Sequence, residues 1–365
     1  MSFTRAKTSS FSRTLSGVPT RTPGIKHGAN GSNLVSSGIA DLDKILGGGL
    51  SLGTVVMIME DPEAPHHLLL LRNFMSQGMV HNQPLLYASP VKEPRAFLGT
   101  LPSLVAPKDE KREQFPNQDP DQEKALRIAW QYKKYFGEQL IVGNKRDNSV
   151  EYCSDFDLRK PLGRQMVAAQ SVDCISIQDS SSLSLLQDRC SGLLAQYPRN
   201  ESGGTGSAAR IAIQSLCAPQ CGFANMDWDI LSFVRSLRSM IRSSNAVAVI
   251  SFPPSILLPC MSKRLQHLSD TLLSVKAIPD EDKELAELLT DYQDMIGLLR
   301  VHKVDRINTQ VPLVLETTTF SIKLQKRRSL VLERLNQAPV DGSSGSSYTS
   351  SGSCTGSIKT SSFEF

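Results

Sequence analysis

Between Ser36 and Leu71 the chain reads SSGIADLDKILGGGLSLGTVVMIMEDPEAPHHLLLL. Thr54–Met59 (TVVMIM) is a short apolar run rich in β-branched residues, the pattern of a strand buried on both faces. The glycines Gly47–Gly49 make a turn ahead of it, and Leu68–Met79 predicts a helix after it. A loop between such a strand and helix is where a GxxxxGK[ST] sequence would cradle a nucleotide. Its glycines let backbone N–H groups close on the phosphates, its lysine reaches the β and γ oxygens, and its hydroxyl holds magnesium. Here the eight positions are Glu60, Asp61, Pro62, Glu63, Ala64, Pro65, His66 and His67. Glu60 and Pro65 stand where the glycines are needed, and His66 and His67 where lysine and hydroxyl are needed. Pro65 also removes an N–H donor. Three carboxylates would face a triphosphate, each costing about 4 kcal/mol at a separation of about 4 Å and an effective dielectric of about 20. The usual ATP site is not viable, and no cofactor is expected.

A metal site built from His66 and His67 with Glu60 or Asp61 has no support in spacing. Neighbouring helical residues point about 100° apart, and no HExxH pattern is present. A helix N-terminus with Asp61 and Glu63 complementing the macrodipole is the preferred reading. Pro84–Ser89, Ala209–Leu216 and Ala246–Phe252 are further apolar strands, with helices over Leu126–Phe136, Leu183–Tyr197 and Asp227–Arg242. Alternating strands and helices of these lengths imply an α/β fold with parallel, right-handed crossovers. The runs Thr271–Lys276, Gly297–Lys303, Thr318–Lys323 and Leu330–Leu335 alternate with period two and are expected to add antiparallel strands at one sheet edge. A catalytic carboxylate after a buried strand is also missing. RIAI ends in Gln214 and Ser215, and AVAVI ends in Ser251, while Asp173 and Asp179 flanking VDCISIQD are weak substitutes. No Ser–His–Asp arrangement can be named from six histidines, so the chain is read as non-catalytic.

The chain has 365 residues, with 40 basic and 36 acidic side chains. That balance is too mild to argue for nucleic acid by itself. The longest charge-free stretch, Ser243–Ser262, is interrupted by Pro253, Pro254 and Pro259, so no membrane span is expected. Seven cysteines without a CxxC pair read as reduced thiols, and Cys217 and Cys221 lack further ligands for zinc. Residues 1–33 hold basic but no acidic side chains and read as a disordered arm, in preference to an organelle transit peptide, since no amphipathic stripe is visible. Residues 337–365 form a Ser/Gly-rich tail expected to be disordered, and 107–124 a polar surface insertion within a domain spanning 34–336.

SSGIADLDKILGGGLSLG followed by an apolar strand resembles the opening of the RecA/KaiC-like ATPases. Together with EDPEAPHHLLLLRNF, LRIAWQY, YCSDFDLRKPL, ARIAIQSLCAP and GLLRVHKVDRIN, in order from about Pro19 to Leu335, it resembles the fourth subunit of the Elongator complex. The resemblance implies a RecA-like fold without the ATP-binding loop: a central, mostly parallel sheet flanked by helices. It implies a ring with Elongator subunits five and six, docked on the larger subunits one to three. That assembly binds tRNA for carboxymethyl-type modification of the wobble uridine, with catalysis in the third subunit, in cytoplasm and nucleus. Cys217, Ala218, Gln220 and Cys221 depart from that family's pattern. The rival readings are an active RecA/KaiC-like ATPase, which needs lysine at position 66, and a structural assembly protein without RNA contact. Candidate RNA contacts are Arg300, Lys303 and Arg306, with Arg21 and Lys26, and Arg159 and Lys160, as further groups. The basic run Lys323, Lys326, Arg327 and Arg328 reads as a hairpin turn.

Overall fold

A computed structural model describes residues 22–28, 31–105, 151–170, 172–179, 181–199, 207–223, 226–278, 294–305, 315 and 317–335. The helix expected over Leu126–Phe136, the insertion 107–124, the tail 337–365, Arg21 and Arg306 lie outside these residues. All described strands and helices belong to the unit Met1–Arg334.

The strands are β1 Ile25–His27, β2 Asn33–Val35, β3 Leu50–Ser51, β4 Thr54–Met59, β5 Leu85–Ser89, β6 Pro102–Leu104 and β7 Phe156–Pro161. They continue with β8 Val172–Ser176, β9 Ala209–Ile213, β10 Ala246–Phe252, β11 Thr271–Ala277, β12 Met295–Lys303, β13 Thr319–Gln325 and β14 Ser329–Arg334. The helices are α1 Ala40–Ile45, α2 His67–Val80, α3 Arg95–Leu98, α4 Arg164–Ala169, α5 Ser182–Ala195, α6 Asp227–Arg242 and α7 Pro259–Leu268. Nine strands form the main sheet in the order β14-β13-β12-β11-β4-β10-β9-β5-β8, and β1-β2-β3 and β6-β7 form two small antiparallel sheets.

The expected α/β architecture is present: β11, β4, β10, β9, β5 and β8 run parallel, and β12, β13 and β14 add antiparallel strands at one edge. Thr271–Lys276 was expected among those additions, but β11 runs parallel to β4, with Thr271 opposite Val56. Helix α7 returns the chain to the starting edge after β10, so β11 begins in the parallel direction and is buried along Thr271–Val275. Residues Ile25–His27 fall within the segment expected to be an arm, yet they pair antiparallel with β2, Ile25 standing opposite Val35.

The pleat sorts the central strand between two apolar layers. Val56 and Ile58 pack with Phe74, Met75 and Met79 of α2, while Val55 and Met57 pack with Phe233, Val234 and Leu237 of α6. Each such fully buried aliphatic side chain contributes about 1.5–3 kcal/mol. The turn before α1 is pinned by the buried Asp43 carboxylate, which accepts from Ser36 Oγ at 2.5 Å, Ser37 N at 2.8 Å and Ser37 Oγ at 2.6 Å. One strand residue breaks the apolar pattern: Arg210 of β9 is completely buried. Its guanidinium lies 4.6 Å from the Phe74 ring centroid and donates to Gln83 Oε1 at 2.6 Å and the Phe74 carbonyl at 3.0 Å. No described helix is long and apolar enough to cross a membrane.

Candidate functional site

Ligands of parallel α/β sheets bind beyond the carboxyl ends of the strands. At that end of β4 the loop is tied to the neighbouring strands by its own backbone and side chains. The Glu60 N–H donates to the Phe252 carbonyl at 3.0 Å, tying the loop to β10. The Asp61 carboxylate accepts from the Ala277 N–H at the end of β11, and from the Glu63 N–H at 3.2 Å. Asp61 and Glu63 therefore do not complement the α2 macrodipole as expected; they precede its first turn, which contains no acidic residue, and Asp61 ties the loop to β11. His66, in the lysine position, turns to β12 and donates from Nε2 to the Ile296 carbonyl at 2.8 Å. The chain passes so closely at Gly297 that a Cβ there would lie 2.8 Å from His66 Cδ2 and 2.5 Å from the Lys276 carbonyl oxygen.

His67 opens α2 and faces Glu60 across 3.6 Å between Nε2 and Oε1, both side chains almost wholly buried. Burial pushes the His67 pKa down to about 4, reinforced by His66 and Arg72. Burial likewise raises the Glu60 carboxyl, against hydrogen bonding from Ser251 and Ser215. Burial thus shifts each group toward its uncharged form. The ends of β9 and β10 are tied in the same way. Gln214 Oε1 accepts from the Tyr87 hydroxyl and from Ser89 Oγ, and Ser251 Oγ accepts from the Ser215 N–H at 2.8 Å. Gln214 and Ser251 stand at the strand ends where a nucleotide-hydrolysing domain needs a carboxylate, and His66 where it needs a lysine. Among the described residues no group of three His, Cys, Asp or Glu is placed to hold a metal ion.

The candidate RNA contacts are distributed differently from their order in the chain. Arg300 and His302 share one face of β12 and line a groove of about 590 Å³ with Ser274, Lys276 and Glu60. His302 Nε2 lies 2.7 Å from Ser274 Oγ, and burial, Arg300 and Lys276 all lower its pKa. Lys303 belongs to the opposite side of the strand, its ammonium donating to the Ser269 carbonyl. The structure thus separates Arg300 from Lys303. Arg159 and Lys160 of β7 meet the hairpin turn of β13 and β14. The buried Asp157 carboxylate accepts from Arg159 at 3.1 and 3.2 Å, lies 3.9 Å from Lys160 and 3.4 Å from Arg328, and the Leu158 N–H donates to the Arg328 carbonyl. Hydrogen bonding from Arg159, ahead of its charge and that of Arg328, holds the Asp157 pKa down. Lys326 and Arg327 both have φ near +53°, as a tight hairpin turn requires. Lys26 on β1 places its ammonium 5.7 Å over the Tyr152 ring.

The fold and site define an α/β protein with a mostly parallel sheet, whose loop after β4 is tied to β10, β11 and β12 by its own backbone, carboxylate and imidazole groups. Residues 18–365 match the family model described as PAXNEB protein, and the chain belongs to that family. It is similar to Elongator complex protein 4 of Dictyostelium discoideum, 26% identical over 348 residues covering 87% of this chain and 77% of the relative. The proteins of the same name from Danio rerio and Homo sapiens are 28% and 26% identical, covering 88% and 85% of this chain and 85% and 78% of theirs.

Proposed function

We propose that the chain is the fourth subunit of Elongator, a non-catalytic component of a RecA-like ring with subunits five and six. In this reading the ring docks on subunits one to three, in cytoplasm and nucleus, and holds tRNA while the wobble uridine receives its carboxymethyl-type modification elsewhere in the complex. The observation that carries it is the loop at the end of β4, whose Glu60–His67 residues lack lysine and are tied to β10, β11 and β12: a chain retaining the sheet without the phosphate-binding residues is suited to assembly rather than hydrolysis. The name shared by its relatives supplies the assembly. The direct test is purification of the tagged chain from its native source, in which subunits five and six are expected to accompany it; their absence overturns the proposal.

The chain is expected not to bind ATP tightly, with or without magnesium. Equilibrium titration with a labelled ATP analogue measures this, and micromolar affinity abolished by His66→Ala would restore the ATPase reading.

The tRNA contact is assigned to the groove at Arg300. Among the described residues Arg300 has no ion-pair partner, so its charge is available to a phosphate. Arg300→Ala is expected to weaken tRNA binding by the assembled ring for all tRNAs alike, and to lower the slope of log affinity against log salt by roughly 0.7–0.9. An unchanged slope would remove the groove at Arg300 as the contact and move it elsewhere, as to Arg21 and Lys26 or to Arg159 and Lys160. Absence of tRNA affinity altogether would favour the purely structural reading.

A further inference from the structure

The amino-terminal edge of the parallel strands, at the opposite end from the loop after β4, carries a second concentration of charge. Arg235, Arg238 and Arg242 recur on α6 at spacings of three and four, which places them on one side of the helix over about 10 Å. With Ser239 and Ser243 they line a shallow cavity of about 410 Å³. Arg199 joins them from the chain after α5: its N–H donates to the Ser243 carbonyl at 3.0 Å. At Gly53, in the turn before β4, a Cβ would lie 3.5 Å from Arg199 Nη1 and 3.6 Å from the Arg242 carbonyl oxygen.

Two of these four guanidinium groups meet one carboxylate. Asp270, 6% exposed, accepts from the Val55 N–H at 3.0 Å through one oxygen. Through the other it accepts from Arg238 Nη2 at 2.7 Å, Arg238 Nε at 3.2 Å and Arg242 Nη2 at 2.8 Å. A buried acid locked to the central strand thus fixes two half-exposed guanidinium groups and leaves their remaining N–H donors facing solvent. Arg199 and Arg235 are exposed and, among the described residues, have no side-chain partner. A helix C-terminus attracts a cation with about half a charge, which accounts for one arginine here and not for four.

We infer that this arginine cluster on α6 binds the phosphate backbone of RNA, as a contact separate from the groove at Arg300. Guanidinium groups present paired donors that match phosphate oxygens, and oriented arginines lose less freedom in doing so. The lining is Arg and Ser alone, without an apolar anchor, whereas a peptide-docking site concentrates its energy in buried aromatic or aliphatic anchors. Contacts of this kind position a nucleic acid without reading its bases. The inference rests on the reading of the protein as an RNA-handling subunit.

Its test is binding of a fluorescein-labelled tRNA transcript to the ring assembled from the full chain and its partner subunits across a salt series, comparing wild type, Arg199→Glu/Arg235→Glu and Arg300→Ala. The double variant leaves Asp270, Arg238 and Arg242 intact, so its thermal transition is expected to stay at the wild-type value. Its affinity is expected to fall roughly tenfold or more, and its salt slope by about 1.5 for two lost contacts. Unchanged affinity and slope in the double variant overturn the inference even if Arg300→Ala weakens binding. If the double variant weakens binding and Arg300→Ala does not, the cluster stands and the groove falls. Wild-type affinity no better than that of a neutral protein removes both, and equal competition by polyglutamate assigns the cluster to acidic protein instead.

Discussion

Gly38→Ala is expected to lower the free energy of unfolding by about 2–5 kcal/mol, the sum of a left-handed backbone penalty of about 1–2 kcal/mol and an overpacking cost of about 1–3 kcal/mol. Gly38 has φ +81°, and a Cβ there would stand 2.3 Å from the Asn73 carbonyl oxygen and 2.7 Å from its carbon. Those atoms are backbone in the middle of α2, held in the helical hydrogen-bond ladder and packed on the central strand, so they cannot step aside as a flexible side chain would. The same glycine sits in the turn pinned by Ser36, Ser37 and Asp43, which prevents the turn from retreating. Gly47→Ala separates the two contributions. Gly47 has φ +84° but nothing within 4 Å of its added Cβ, so only the backbone penalty of about 1–2 kcal/mol is expected. Denaturant unfolding of both variants measures the difference; equal losses would show that α2 yields to the methyl group.

Acid destabilisation is expected to contain a contribution of about 3 kcal/mol from His67 alone, developing between pH 6.5 and pH 4. The native imidazole takes its proton only near pH 4, whereas in the unfolded chain it does so near 6.5. Between those values the unfolded state holds more protons, so stability falls as pH falls. Glu60 acts in the opposite sense. Its native carboxyl is raised above its unfolded value, so it protonates first in the folded state and lends stability as the solution is acidified. His67→Gln is therefore expected to flatten the acid limb, and Glu60→Gln to steepen it while raising stability at neutral pH. Unfolding free energies at half-unit steps from pH 7 to pH 4 measure the limbs. Parallel curves for wild type and His67→Gln would mean that the imidazole reaches solvent.

The residue chemistry of the loop after β4 was legible in the chain because it is local, being set by eight consecutive side chains and their backbone donors. The strands β4, β5, β9 and β10 were legible for a related reason, since burial on both faces demands an unbroken apolar run. Period two also separates residues 300 and 303 of one strand, so the opposition of Arg300 and Lys303 was available from the sequence and was obscured by reading their charges as one cluster. The stripe of Arg235, Arg238 and Arg242 was visible at helical spacing too, but apolar residues interrupt it and it does not look like a charge run.

Other features depend on partners far along the chain. The parallel direction of β11 follows from α7 recrossing the sheet, which an alternating TLLSVK cannot announce. Arg159 and Lys160 become one group with Arg328 only because β7 lies against the β13–β14 hairpin and Asp157 stands between them. Arg210 is tolerated inside β9 because Phe74 and Gln83 receive its guanidinium and Gly78 leaves room, a Cβ there falling 2.7 Å from Arg210 Cδ. Local pattern sets which face of an element is apolar and which chemistry a loop carries. The charge state of Glu60 and His67, the neighbours of each arginine and the direction of β11 depend on burial and long-range contact, and those exist only once the sheet has closed.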